Sequence, residues 1–163
     1  MNRREFVVRM GLALGLLAAC RRSAAQEEKQ EEGQSAASAT RLVIASDDNQ
    51  MAFDQTRLTA PAGRQVTLTF RNRSTIFQHN WVLVNGGAEV AESVYGRAVA
   101  AGPARGYVPE DEPAVLAATK LVDSGDEETI TFVTPAAGEY VYLCTFPGHY
   151  LAGMKGVLEV TAR

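Results

Sequence analysis

The sequence is poor in the side chains that build disulfide frameworks, large metal clusters or nucleic-acid-binding surfaces. Its 163 residues include two histidines, two cysteines and one tryptophan, and the formal net charge is -3. The negative balance gives no electrostatic basis for binding nucleic acid. Cys20 and Cys144 lie in such different contexts that a disulfide between them is a poor interpretation of the even count. What remains is a small globular domain with appendages.

The first twenty residues predict an export signal rather than a folded element. Arg3 and Arg4 give a charged start, and the apolar run at 10–19 is too short to span a bilayer. The run ends at Cys20 and resembles a bacterial lipobox, in which the cysteine becomes acylated. We therefore predict a signal peptide over 1–20 and a lipid anchor at Cys20 on the periplasmic or extracytoplasmic face of a membrane.

Two alternatives stay open for this segment. The paired arginines are similar to a twin-arginine signal, so general secretion and twin-arginine export both fit. A plain secretory signal would instead be removed together with Cys20. Residues 21–40 follow as a predicted flexible linker, because they are rich in Gln, Glu, Ser and Ala and show no apolar periodicity.

Residues 41–163 show the pattern of an all-β, two-sheet Greek-key sandwich. Short segments alternate apolar and polar residues, and turn residues separate them. The predicted strands are 42–45, an interrupted 51–59, 66–71, 79–84, 118–122, 128–134, 140–144 and 157–161. Residues 88–101 instead repeat apolar side chains at helical spacing and stop before Gly102-Pro103, which predicts one helical insertion on the surface.

The densest group of metal-binding side chains lies in the segment 144–154. Cys144, His149 and Met154 follow one another at the spacing Cys-x4-His-x4-Met. Pro147-Gly148 prevents a continuous helix between the first two, so the segment must bend. The bend lets a thiolate, an imidazole and a thioether point toward one centre.

His79 supplies the second imidazole, since it begins a predicted strand whose core-facing side includes Trp81. Taken singly, a buried cysteine or methionine is usually a packing residue. Soft sulfur ligands combined with imidazole suit a copper ion that alternates between Cu(I) and Cu(II), whereas a thioether is a poor zinc ligand. We predict one copper ion bound by His79, Cys144, His149 and Met154.

These motifs resemble those of azurin-type cupredoxins. The resemblance is carried by His79-Asn80-Trp81-Val82-Leu83, by Cys144 through His149, and by Met154-Lys155-Gly156. The loop length is similar to that of the auracyanin subfamily of small blue copper proteins. The resemblance implies a type 1 site in which His79, Cys144 and His149 form a trigonal plane and Met154 is axial.

The resemblance also implies roles for residues around the ligands. Asn80 would brace the cysteine loop through its backbone N–H and its side chain, Phe146 would offer a second backbone N–H to the sulfur, and Thr145 would lie beside the ligands. Gln78 stands where azurin has a glycine whose carbonyl approaches the metal, so a fifth contact is left open.

An electron carrier is the function that this site predicts, rather than an enzyme. Two histidines leave no ligands for a second copper centre, and the loop lacks the second cysteine of a binuclear site. The alternative is an extracytoplasmic copper chaperone or reservoir, which would need exposed, exchangeable ligands. We expect electrons to pass through a solvent-touching edge of His149, with Pro147, Tyr150 and Leu151 as an apolar docking ring; alternatively, Tyr150 and Leu151 cap the core.

The partners follow from the resemblance alone. It implies redox proteins, with a quinol-oxidising membrane complex as donor and a cytochrome c of a photosynthetic reaction centre as acceptor. We further expect a monomer without a nucleic-acid partner. The acidic loop at 110–112 could steer a basic partner, although such a charge run is usually solvated surface.

Overall fold

The computed structural model describes residues 40–162. The predicted signal over 1–20, the lipidated Cys20 and the linker up to residue 39 lie outside the described residues, so they stay predictions. In the described part of the chain, no helix is long and apolar enough to cross a membrane.

Two sheets form the framework of the described chain. The smaller has the strand order β1-β3-β6 and the larger has the order β2-β8-β7-β4-β5. The strands are β1 (Thr40–Ala45), β2 (Arg57–Pro61), β3 (Gln65–Arg71), β4 (Val82–Val84), β5 (Val115–Ala118), β6 (Glu127–Val133), β7 (Gly138–Leu143) and β8 (Lys155–Thr161). β1 runs parallel to β3 and β2 parallel to β8, and the other neighbours are antiparallel. The predicted two-sheet, mostly β fold with one helical insertion is confirmed.

Side chains from both sheets meet in one apolar core. β3 buries its alternate residues Val66, Leu68 and Phe70 completely, as its period-two pattern requires. Trp81 packs at the centre of this core, and its ring centroid lies 5.7 Å from that of Tyr142. Each large buried side chain contributes roughly 1.5–3 kcal/mol to folding. Because Cys144 and Met154 belong to the same cluster, the core extends to the residues of the predicted copper site.

The helical insertion covers the outer side of the larger sheet. α1 spans Ala88–Ala101, the range predicted from its apolar spacing. Its buried residues, which include Val94 and Tyr95, form a second cluster with Val82, Val84 and Leu143. A second helix, α2 (His149–Ala152), was not predicted. It lies in residues 144–154, which we call the ligand segment.

Three strand predictions are corrected by the structure. In the strand predicted at 79–84, regular pairing starts only at Val82, while His79 forms an isolated bridge with Val122. The strand predicted at 118–122 is wrong, since β5 ends at Ala118. The ladder breaks there because the hydroxyl of Thr119, rather than a backbone carbonyl, accepts the N–H of Trp81 at 2.9 Å. The interrupted strand at 51–59 reduces to β2 and an isolated bridge at Phe53.

The sandwich has two distinct ends. At one end, which we call the ligand pole, β7 runs out at Leu143 and β8 begins at Lys155. At the opposite end, the far pole, Pro61 pairs with Thr161. β3 begins at Gln65, shortly after Pro61, and so it starts at the far pole. Because β1 runs parallel to β3 and pairs Thr40 with Val66, β1 starts at the far pole as well.

Candidate metal centre

Three predicted ligands come together at the ligand pole. Nδ1 of His79 lies 3.0 Å from Nδ1 of His149. Sγ of Cys144 lies 3.4 Å from Nδ1 of His149 and 3.9 Å from Nδ1 of His79. All three side chains are buried, and their ligand atoms lie within 4.8 Å of one another. The side chains thus present two nitrogens and one sulfur to a common centre.

Burial keeps these groups uncharged in the absence of a metal ion. It lowers the pKa of His79 to about 4, with the neighbouring His149 as a second cause, and it also lowers the pKa of His149. Burial raises the pKa of the Cys144 thiol to about 12, against the opposing effect of the backbone N–H groups of Asn80 and Phe146. At neutral pH the imidazoles therefore keep free lone pairs.

The donor set fits a soft cation. Two facing imidazole nitrogens at 3.0 Å can share one proton at most, and the neighbouring neutral thiol is only a weak donor to the remaining lone pair. A bound metal ion would satisfy both nitrogens and would also compensate the buried thiolate. Two nitrogens with one thiolate match the trigonal set of a copper electron-transfer site.

The ligand segment holds its shape largely through its own backbone. The N–H of Cys144 donates to the carbonyl of Met154, and the N–H of Met154 donates to the carbonyl of His149, both at 3.0 Å. Gly148 and Gly153 flank α2 with φ values of +90° and +106°, which L side chains rarely adopt. As expected, no continuous helix joins Cys144 to His149 across Pro147-Gly148, but a short helix begins directly after these two residues.

Met154 is placed close to the other ligands. Its side chain is fully buried and belongs to the same apolar cluster as Cys144. Its backbone is bonded to both Cys144 and His149. Its role as the axial ligand stays a prediction.

A polar network of Asn80 and Thr145 braces the segment next to the cysteine. Oδ1 of Asn80 accepts the N–H of Thr145 at 2.8 Å, and its Nδ2 donates to the hydroxyl of Thr145 at 2.7 Å and to the carbonyl of Gly106 at 2.9 Å. The hydroxyl of Thr145 in turn donates to the carbonyl of Tyr107 at 2.6 Å. Asn80 therefore contacts the cysteine loop at Thr145, a partner that the sequence did not specify. The two carbonyls were not found from the sequence, because a backbone acceptor leaves no side-chain signal.

Two phenylalanines enclose the histidine rings. The ring of Phe77 lies 5.6 Å from His149 and 6.1 Å from His79, and the ring of Phe146 lies 4.7 Å from His149. Phe77 was missed, although its position two residues before His79 puts it on the same face of an extended chain. Gln78 is exposed and its side chain donates to Asp123. A contact of its carbonyl with the metal stays a prediction.

The surface of the ligand pole differs from the predicted docking ring at two residues. Tyr150 is only 6% exposed and packs against Tyr95, so the assignment of Tyr150 to an exposed ring is wrong and the core-capping alternative holds for it. His149 is 1% exposed, so its imidazole is nearly covered rather than solvent-touching. Leu151 is 75% exposed and Pro147 is also exposed, as the docking prediction requires.

Comparison with known proteins agrees with this geometry. Residues 40–161 match the family of copper-binding proteins described as the plastocyanin/azurin family. The chain is 44% identical over 117 residues to auracyanin-A of Chloroflexus aurantiacus, a match that covers 72% of each chain. It is 47% identical over 124 residues to auracyanin-B of the same organism, covering 76% of this chain and 53% of that relative. The chain therefore spans about half the length of auracyanin-B.

Solved structures show the same similarity. Reduced auracyanin from Roseiflexus castenholzii superposes with a TM-score of 0.73 at 48% identity, covering 76% of this chain and 98% of that one. Auracyanin A from Chloroflexus aurantiacus gives a TM-score of 0.72 at 41% identity, covering 76% and 99%. Sequence, fold and the buried histidine–cysteine group agree, and the chain belongs to the plastocyanin/azurin family of copper-binding proteins.

Proposed function

We propose that this protein carries single electrons between membrane-associated redox partners through one copper ion at the ligand pole. The observation that carries the proposal is the buried convergence of His79, Cys144 and His149 within 4.8 Å, in a chain of a copper-binding family. Met154 is proposed as the fourth, axial ligand. When bound, copper supplies a one-electron change between Cu(I) and Cu(II).

The residues around the ligands serve to keep them still. Cu(I) and Cu(II) favour different coordination geometries, so a site that resists rearrangement keeps the reorganisation energy of electron transfer small. Asn80 and Thr145 are fully buried and bonded to each other, and the ligand segment closes on itself through Cys144 and Met154. The backbone N–H groups of Asn80 and Phe146 approach the sulfur and favour the thiolate. Such hydrogen bonds withdraw electron density from sulfur and raise the reduction potential.

Electrons are proposed to pass through the ring edge of His149. The surface around it carries exposed apolar side chains, namely Leu151 and Pro147 on the ligand segment and Ile76 beside Phe77. Ile76 is 66% exposed and Leu151 is 75% exposed. A small apolar patch suits the brief, low-area encounters of redox proteins.

We also propose that the protein is exported and anchored through a lipid on Cys20. The described domain begins with β1 at the far pole, so a tether attached there leaves the ligand pole free to meet partners. By resemblance, the donor is a quinol-oxidising membrane complex and the acceptor a cytochrome c of a photosynthetic reaction centre.

Copper titration of the metal-free protein tests the function. We expect one ion per chain, intense thiolate-to-copper absorption of the oxidised form, reversible one-electron reduction, and retention of copper when a chelator is added. A chaperone or reservoir would instead release copper readily to the chelator. Loss of copper within the mixing time, or an oxidised protein without the intense absorption, would overturn the proposal.

A further inference from the structure

The hydroxyl of Tyr95 links helix α1 to the ligand segment. Tyr95 is 9% exposed, and its Oη accepts the N–H of Gly148 at 2.7 Å. Its ring packs on Tyr150 with 5.2 Å between centroids. Gly148 and Tyr150 are the residues directly before and after His149. Tyr95 therefore holds both chain neighbours of that ligand.

The segment around His149 makes most of its backbone hydrogen bonds within itself. Within residues 146–153, the described backbone N–H groups of His149, Ala152 and Gly153 donate to carbonyls of the same segment. The N–H of Gly148 donates to the side chain of Tyr95 on α1, and the N–H of Phe146 approaches Sγ of Cys144. α2 has only four residues and no side-chain cap at Gly148. Because so short a helix is unstable by itself, its conformation depends on what it is packed against.

We propose that Tyr95 is a positioning residue for His149. By fixing the chain on both sides of the ligand, it keeps Nδ1 of His149 at the shared centre with His79 in both oxidation states. α1 then has a role beyond covering the sheet, because it limits rearrangement of the copper site during electron transfer. This inference rests on the proposed electron-carrier function and concerns the ligand through which the electron passes.

The test compares Tyr95→Phe with the matched control Tyr140→Phe in the full-length protein. Both variants lose one hydroxyl, but that of Tyr140 donates to the carbonyl of Ala136, away from the ligand segment. The first measurement is amide hydrogen exchange of the metal-free protein. We expect protection of the Gly148 amide in the parent and an acceleration of about tenfold in Tyr95→Phe, which is the effect of losing one hydrogen bond. The control should leave this amide unchanged.

The second measurement is electron self-exchange of the copper-loaded proteins, followed by NMR line broadening. We expect a slowing of about tenfold in Tyr95→Phe, as is typical when a residue that orients a metal ligand is lost, and no change in the control. Self-exchange equal to the parent would overturn the proposal even if the amide is deprotected, since Tyr95 would then be structural only. An unprotected Gly148 amide in the parent, or unaltered exchange in the variant, would overturn it as well. If the parent protein does not bind copper, the proposed function fails. The amide exchange measurement can still test the contact of Tyr95 with Gly148, because it needs no metal.

Discussion

Nδ1 of His79 and Nδ1 of His149 lie 3.0 Å apart in a buried pocket, although 70 residues separate the two rings in the chain. The end of β7 and the start of β4 bring the two segments to the same pole. Burial lowers the pKa of both rings, and the proximity of His149 lowers that of His79 further. A proton is therefore poorly tolerated where the two lone pairs meet, which leaves this centre available to a metal ion at neutral pH.

The stability of the metal-free protein should depend on pH because of His79. Its pKa falls from 6.5 in the unfolded chain to about 4 in the fold, so between these values the unfolded state binds more protons. The contribution of His79 to the free energy of unfolding should therefore be complete above about pH 6.5, and about 3 kcal/mol of it should be lost as the pH falls to about 4. The lowered pKa of His149 acts in the same direction. Urea unfolding of the metal-free protein at several pH values measures this.

His79→Gln is the matched variant for that series. It removes one titrating ring, so its unfolding free energy should change less between pH 6.5 and 4 than that of the parent. Equal pH dependence of parent and variant would show that His79 is not the responsible group.

Replacement by serine should remove the visible absorption of the copper(II) form at Cys144 but not at Cys20. Cys144→Ser removes the proposed thiolate ligand, so the intense visible absorption of the copper(II) form should disappear. Cys20→Ser makes the same chemical change outside the described residues and should leave the spectrum intact. Visible spectroscopy of both variants after copper addition decides the matter. Retained absorption in Cys144→Ser would contradict the assignment of the ligand.

Local pattern was sufficient for the parts of the fold that depend on neighbouring residues. The alternation of Val66, Leu68 and Phe70 predicted β3, and the helical spacing before Gly102 predicted the bounds of α1. The spacing from Cys144 to His149 predicted the bend, because the chemistry of proline and glycine acts within a few residues. The same spacing predicted that Met154 lies close to the other two residues, whereas its role as a ligand stays a prediction.

Tertiary contacts were beyond the reach of such patterns. β5 pairs at Val115–Ala118 rather than further along because its register is set by β4 and by the hydroxyl of Thr119. Tyr95 and Tyr107 reach the ligand segment from α1 and from the chain that follows it, with no spacing that relates them to the ligands. Burial of Tyr150 likewise depends on where α1 packs.

Met154→Leu should raise the reduction potential. Leucine has a similar volume, so the metal-free protein should lose less than about 1.5 kcal/mol of stability. Loss of a thioether donor destabilises Cu(II) more than Cu(I), so the reduced form becomes favoured while the strong thiolate absorption persists. Voltammetry of Met154→Leu and of the control Met51→Leu, a methionine at the surface, measures the difference. Equal potentials in Met154→Leu and the parent would argue against axial ligation.

Gly156→Ala should destabilise the fold by roughly 3 kcal/mol through overpacking. A Cβ at this position would overlap the hydroxyl end of the Tyr142 ring and would lie 2.7 Å from the carbonyl oxygen of Thr56. Tyr142→Phe alone should cost about 1 kcal/mol, because the hydroxyl donates to the carbonyl of Gln55. Removal of that hydroxyl relieves one of the overlaps, while those with Cζ of the ring and with the Thr56 carbonyl stay, so the double variant should be less destabilised than the sum of the two single changes. Strict additivity in a double-mutant cycle would refute this packing relationship.

Leu151→Glu should slow electron self-exchange if the apolar surface at the ligand pole is where two molecules meet. Two copies that meet there would bring two added carboxylates together, and like charges in a contact disfavour the encounter, so a slowing of about tenfold is expected.

Val133→Glu is the matched control, since Val133 is 65% exposed but lies at the far pole, where β6 ends opposite Gln65. The control should change the rate less than about twofold, because its charge stays remote from the contact at ordinary ionic strength. Added salt should restore part of the rate in Leu151→Glu alone. Equal slowing by both substitutions would mean that net charge, rather than contact through the surface next to His149, governs the encounter.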